Sequence, residues 1–233
     1  MEIDILTLFP ELFTAPLATS ILGRAQKKGL LTVRAHDIRR WATDERGTVD
    51  DAPYGGGGGM VLMPGPLAAG IKEVKATYGE GPVIYLTADG ELLTQRIANE
   101  LALEPHLILL CGHYRGIDER IRQRYVDREL SIGDYVLSGG ELPALVLIDA
   151  VVRLIPGVLG NFESALDDSF QDDILDCPWY TRPQLFEGMP VPEVLLSGNR
   201  EAILRWRREQ ARARTRARRP DLAARWTEEK ENP

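Results

Sequence analysis

The sequence predicts an α/β protein in which a mostly parallel sheet is covered by helices, followed by a small helical module rich in arginine. Three observations carry this. Short apolar runs alternate with amphipathic segments of helical period from Glu2 to Ile155. One run, "HLILLCG" (106–112), is apolar throughout, the pattern of a strand covered on both faces. Charge is unevenly spread: residues 199–226 hold ten arginines against Glu201, Glu209 and Asp221, a local +7 in a chain of net charge −7, so the remainder sums to −14.

Each element has its own signal. "EIDILTLF" reads as a strand, and "PELFTAPLATSILGRAQKKG" as one amphipathic helix with Pro10 in its first turn and Gly29 at its C-terminal cap. "LLTVRAHDI" is a second strand, and a loop runs from Arg39 to Met60. Pro66 to Ala76 is a helix, "PVIYLTA" a strand, and Thr94 caps a helix ending at Leu103. After "HLILLCG" come a helix from Ile117 to Tyr125, the short strand "YVDREL", and a long buried helix from Glu141 to Ile155. An acid-rich stretch of weak periodicity, Pro156 to Thr181, then separates this body from the arginine-rich module.

Composition bounds the function classes. At 233 residues, 44% hydrophobic and 27% charged, the chain suits one large domain plus a small one. Cys111 and Cys177 are the only cysteines, and no secretory leader is read at Met1 to Phe9, so a reducing, cytoplasmic setting without a structural disulfide is expected. The most membrane-like stretch, Leu142 to Gly160, carries Asp149 and Arg153 and is broken by Pro143 and Pro156, which argues against a lipid-spanning helix. The arginine tail contains no lysine, as suits bidentate phosphate contact and stacking on bases; a solvated face spaced for salt bridges is the alternative.

Three glycine-rich sites punctuate the body. "YGGGGGMVLMPGP" (54–66) lacks the Lys-Ser/Thr of a Walker loop and does not open a helix as a dinucleotide fingerprint does, leaving a surface loop as the other reading. "LLCGHYRGIDER" (109–120) leaves a buried strand at its carboxyl end, where open α/β sheets bind ligands. In "SIGDYVLSGGELPA" (131–144), Ser138 and Glu141 are spaced as a capping box, which would occupy the helix-start amides and add negative charge. That arrangement disfavours phosphate and fits a neutral or cationic ligand such as a sulfonium methyl donor; a tight structural turn explains the same glycines.

The motifs "TLFPELF", "TVDDAPYGGGGGM", "LLCGHYRGIDER", "SIGDYVLSGGELPA", "RLIPGVLG", "DDSF", "LDCPWYTRP", "VLLSGN" and "LRWRREQA" occur in this order from Thr7 to about Pro220. Together they resemble the bacterial tRNA (guanine-37-N1) methyltransferases, the TrmD family of the SPOUT superfamily. The resemblance implies a parallel sheet with a deep trefoil knot, an exception to the rule against threaded chains, and a small helical C-terminal domain. It implies a knotted S-adenosylmethionine-binding domain over residues 1–160, an interdomain linker carrying the general base over 161–181, and a helical tRNA-binding domain over 182–233.

By that resemblance, Tyr85, Leu86, Gly112, Ile132, Gly133, Tyr135, Leu137, Gly139 and Gly140 bind S-adenosylmethionine, and the enzyme is a homodimer with its active site at the subunit interface. Asp168 is then the general base and Arg153 the stabiliser of charge on O6. Ser197, Asn199, Arg205 and Arg207 hold the anticodon stem-loop. The chemistry asks for such a pair, because guanine N1 carries a proton at neutral pH and its removal leaves negative charge on O6. Asp149, four residues before Arg153, is placed to orient it. The family's magnesium requirement loses one carboxylate here, since Arg115 stands where some relatives have glutamate, and Asn199 stands where some have histidine. No His/Cys/Asp spacing matches a zinc site, so no structural metal is expected. Asp172, Asp173 and Asp176 form either a weak Mg²⁺ site or a solvated surface. A methyltransferase for another RNA position and a non-catalytic RNA-binding protein are the competing readings.

Overall fold

The computed structural model of the chain describes residues 1–160 and 168–226. The chain divides into two compact units, Met1–Phe162 and Glu163–Pro233. In the first, β1 (Glu2–Thr7) leads into α1 (Glu11–Ala18) and α2 (Ser20–Lys27), followed by β2 (Thr32–Asp37) and a small pair, β3 (Asp50–Asp51) and β4 (Val61–Leu62). Then come α3 (Pro64–Tyr78), β5 (Val83–Leu92), α4 (Gln95–Leu101), β6 (His106–Cys111), α5 (Glu119–Tyr125), β7 (Arg128–Ser131) and α6 (Glu141–Val152).

Five strands form one sheet in the order β2-β1-β6-β5-β7, and every pairing in it is parallel. Strand residues alternate between two cores, as a period of two requires. Ile3, Ile5, Ile84, Leu107 and Leu109 meet Phe13 and the buried side of α6, with Leu147, Ile148 and Val151; Leu6, Val83, Tyr85, Ile108 and Leu110 meet Leu67, Ile71 and Ile121 on the other side. β6 is buried along its whole length, as its apolar run predicts. The Thr94 cap is present, its hydroxyl accepting from the Ile97 amide at 3.4 Å.

The single helix expected after β1 is two. Thr19 is extended and Ser20 has φ of 50°, and the Thr19 hydroxyl donates back to the Ala15 carbonyl at 2.6 Å and the Pro16 carbonyl at 3.1 Å. Side-chain bonding of this kind competes with helix continuation. The loop from Arg39 to Met60 contains β3, and a 3-10 turn over Ile38–Trp41 precedes it; α6 stops at Val152, short of the expected Ile155.

One buried polar cluster interrupts the apolar sheet. Asp4 is fully buried in β1; Arg34 donates to both its oxygens at 2.8 and 2.7 Å, and the Nε2 atoms of His36 and His106 lie 2.6 and 2.8 Å away. Burial alone would raise this carboxyl, but the Arg34, His36 and His106 bonds outweigh it and hold it well below the usual carboxylate range.

The second unit contains the hairpin β8 (Leu185–Phe186) and β9 (Met189–Pro190), then α7 (Glu193–Leu196), α8 (Arg200–Arg218) and α9 (Pro220–Ala223). Asn199 caps α8 by accepting from the Ala202 amide at 3.1 Å. The chain before the hairpin is laced to α8: the Leu175 amide donates to the buried Thr215 hydroxyl at 2.8 Å, and Arg214 donates to the Asp176 carbonyl at 3.2 Å. Residues 161–167 of the expected linker lie outside the described residues. Both cysteines are free and buried, and among the described residues no helix is long and apolar enough to cross a membrane.

Candidate active site

A cleft of about 320 Å³ opens at the carboxyl ends of β5 and β6, the end at which open parallel sheets take ligands. Tyr85 and Leu86 reach it from β5 and Gly112 from the residue after β6. The segment between β7 and α6 supplies Ile132, Gly133, Tyr135, Leu137, Gly139 and Gly140. Every residue assigned to cofactor binding in the sequence thus lines one cavity, and all of them belong to the first unit.

The bareness of the 131–144 stretch has a packing cause. The Gly140 amide donates to the Gly112 carbonyl at 2.9 Å, and His113 and Gly139 form an isolated antiparallel bridge. A Cβ on Gly140 would stand 2.8 Å from Cys111 Cα and 3.1 Å from the Gly112 amide nitrogen, and one on Gly112 would stand 2.7 Å from the Tyr85 hydroxyl. Backbone therefore lies on backbone where the two glycine loops meet, and their outer faces form the cleft wall.

The expected capping box is absent. Gly140 is the N-cap of α6 with no side-chain cap, and the buried Glu141 carboxylate instead accepts from the Thr7 hydroxyl at 2.8 Å. A tertiary partner at the end of β1 outcompetes the local one. Glu141 still leaves a carboxylate in the first turn of α6.

The cations of the cleft are engaged by protein groups. Arg122 donates to Glu129 at 2.8 and 2.5 Å and to Asp89 at 2.9 Å, while Arg115 donates through Nε to the Gly58 carbonyl. The Thr87 hydroxyl first, then Arg122, holds Asp89 below its ordinary value, and burial pushes the Tyr85 phenol up. His113 Nδ1, in the same wall, is buried without a hydrogen-bond partner among the described residues. An arginine already paired with two carboxylates, and an ionised aspartate, suit a neutral or cationic ligand better than a phosphate.

Thr87, Asp89, His113, Arg115 and Arg122 are cleft residues that the sequence reading did not assign to the site. Arg115 is informative, because its amide also donates to the Met60 carbonyl at 3.1 Å, and Leu62 donates to the Gly116 carbonyl at 3.0 Å. The glycine run 55–59 is thereby tied to the cleft wall; the only signal was the departure of Arg115 from the motif.

Arg153 is the half-buried C-cap of α6, with its amide 3.4 Å from the Asp149 carbonyl. Asp168 is half-buried and belongs to the second unit. Ser197 follows α7, its hydroxyl donating to the Val194 carbonyl at 2.7 Å; Asn199 caps α8; Arg205 is exposed on that helix and Arg207 half-buried. The carboxylates of Asp173 and Asp176 are occupied in part, Asp173 by Arg225 at 3.6 Å and Asp176 by the Trp179 indole at 2.5 Å.

A protein-family model described as "tRNA (Guanine-1)-methyltransferase TrmD" matches residues 1–225. A Chloroflexus aggregans protein named tRNA (guanine-N(1)-)-methyltransferase is 60% identical over 226 residues, covering 97% of this chain and 88% of its own length. Proteins of the same name from Moorella thermoacetica and Chlorobaculum tepidum are 55% and 51% identical over 228 residues, covering 97% and 98% of this chain and 91% and 99% of their own.

Proposed function

The chain belongs to the tRNA (guanine-1)-methyltransferase family and is a methyltransferase acting on N1 of a tRNA guanine, and from that premise we propose which base it modifies and how its own residues divide the work. The target is guanine 37, next to the anticodon. The family's methyl donor, S-adenosylmethionine, supplies an electrophilic methyl group on a sulfonium. The cleft fits that donor: its volume of about 320 Å³ is that of a small-molecule site, and Arg122 in its wall is already paired with Glu129 and Asp89. Tyr85, Leu86, Gly112 and the 132–140 segment hold it there, largely through backbone.

Asp168 takes the N1 proton, which frees the N1 lone pair, and Arg153 balances the negative charge left on O6. Arg153 belongs to the first unit and Asp168 to the second. Ser197, Asn199, Arg205 and Arg207 hold the anticodon stem-loop, supported by the local excess of arginine on α8. We further propose the homodimer and the trefoil knot of the family. Leu142 and Val146, one turn apart on α6 at 57% and 48% exposure, support a second copy packing there. Close packing of the 112–116 and 131–140 loops supports the knot. The setting is the cytoplasm, with its tRNA, and any Mg²⁺ acts without a carboxylate at position 115.

The observation that carries this reading is the convergence of the assigned cofactor residues on one cleft at the carboxyl end of the sheet. Incubation with labelled S-adenosylmethionine and unmodified tRNA transcripts, followed by nuclease digestion and mass spectrometry, tests it. Label should appear as N1-methylguanine at 37 and vanish with adenine at 37; label that persists at another base would move the target.

A further inference from the structure

A second cavity, of about 350 Å³, lies wholly within the second unit and shares no lining residue with the cofactor cleft. Trp179, Tyr180, Arg182 and Arg207 line it with the apolar Leu195 and Ile203. Its central feature is a tryptophan that is held in place yet stays exposed. The Trp179 indole donates to Asp176 Oδ2 at 2.5 Å, and the Arg207 guanidinium carbon lies 4.4 Å from the ring centroid. Asp176 is itself fixed, its amide donating to the Ser169 hydroxyl at 2.9 Å and its carbonyl accepting from Arg214 at 3.2 Å. With its edge and one neighbour fixed, Trp179 nevertheless keeps 62% of its surface exposed. Tyr180 beside it is 48% exposed, its ring 6.2 Å from that of Trp206.

An exposed indole locked by polar tethers has little conformational freedom left to lose on binding. Aromatic rings and guanidinium planes placed together are what proteins use to hold unstacked bases of single-stranded RNA loops, the base on the ring and the phosphate near the cation. The charge agrees, since Arg182 and Arg207 line the cavity and α8 carries the arginine excess. We propose that the Trp179–Arg207 cavity holds one unpaired nucleobase of the tRNA anticodon loop, stacked on Trp179, as a specificity contact distinct from the base undergoing methylation. This rests on the tRNA methyltransferase reading above.

Full-length protein would be titrated with a tRNA transcript across a KCl series, and with anticodon stem-loops carrying 2-aminopurine at each loop position in turn. Trp179→Ala should weaken binding about tenfold, the loss typical of one base–aromatic stack. The slope of log Kd against log salt should stay unchanged, because no phosphate contact is lost. One 2-aminopurine position should be quenched by the wild-type protein, lose that quenching in Trp179→Ala and recover it in Trp179→Phe. Trp179→Ala with wild-type affinity, or quenching that depends on Trp179 at no position, overturns the proposal while leaving methylation by the wild-type protein intact; such a surface would then suit a protein partner. A wild-type protein that methylates no tRNA would instead overturn the functional reading beneath it.

Discussion

Replacing Gly140 with alanine tests the backbone-on-backbone junction at its tightest point. The added Cβ would stand 2.8 Å from Cys111 Cα, 3.1 Å from the Gly112 nitrogen and 3.2 Å from Cys111 Cβ. Cys111 ends a strand buried along its whole length, so the 131–140 loop has to move instead. Overpacking of this kind costs about 2 kcal/mol, or roughly 4–8 °C in melting temperature for a protein of this size. The displaced loop also lines the cleft; under the proposed donor binding, losing one backbone hydrogen bond to the donor, about 1 kcal/mol, weakens donor affinity about fivefold. Differential scanning calorimetry reads the first effect and isothermal titration with S-adenosylmethionine the second. Gly58→Ala is the control, since a Cβ there meets nothing within 4 Å. Wild-type stability and affinity in Gly140→Ala, or an equal loss in Gly58→Ala, would refute the packing argument.

Asp4→Asn should destabilise the first unit by roughly 3–5 kcal/mol, because it breaks a buried ion pair. Since the folded Asp4 pKa lies below the unfolded value of about 3.9, its contribution is fully present above that value and is lost as pH falls toward the folded one; urea midpoints from pH 7 to 3 should fall more steeply in the wild type than in Asp4→Asn. Arg205→Ala, at an exposed site paired with Glu201 at 3.1 Å, should lower the salt slope of tRNA binding by about 0.7–0.9, the value of one lost phosphate contact. Burial first, and then the charge of Glu141, push the Cys111 thiol well above its ordinary value, so peptide mapping should find Cys111 unalkylated by iodoacetamide in native protein at pH 8 and alkylated in urea.

The sheet was legible because its strands are short apolar runs whose side chains alternate between two covered faces, and β6 declares itself by having no polar face. The Thr94 cap was legible because its partner is three residues away. Features fixed by distant partners were not. Glu141 is spaced from Ser138 as a capping residue, yet its partner is Thr7, 134 residues earlier. The break at Thr19 depends on where a hydroxyl turns within a segment of good helical period. The Asp4 cluster joins side chains from three strands, and nothing near any one of them foretells it. For the site, glycine content pointed to loops at the right end of the sheet, but the choice of cofactor residues came from the motif resemblance. Trp179 has no periodic signal, and only the fold reveals that it is tethered and exposed.

The proposed reaction separates two tasks, with the donor held by the cleft of the first unit and the N1 proton removed by Asp168. Single-turnover methyl transfer to guanine-37 tRNA by Asp168→Ala, with donor affinity measured on the same preparation, tests this most directly. Donor binding should stay within about twofold of wild type while the transfer rate falls by roughly 10²–10⁴, the range for a lost general base. Transfer at the wild-type rate would remove Asp168 from the chemistry, and donor binding lost together with transfer would contradict the division of labour between the two units.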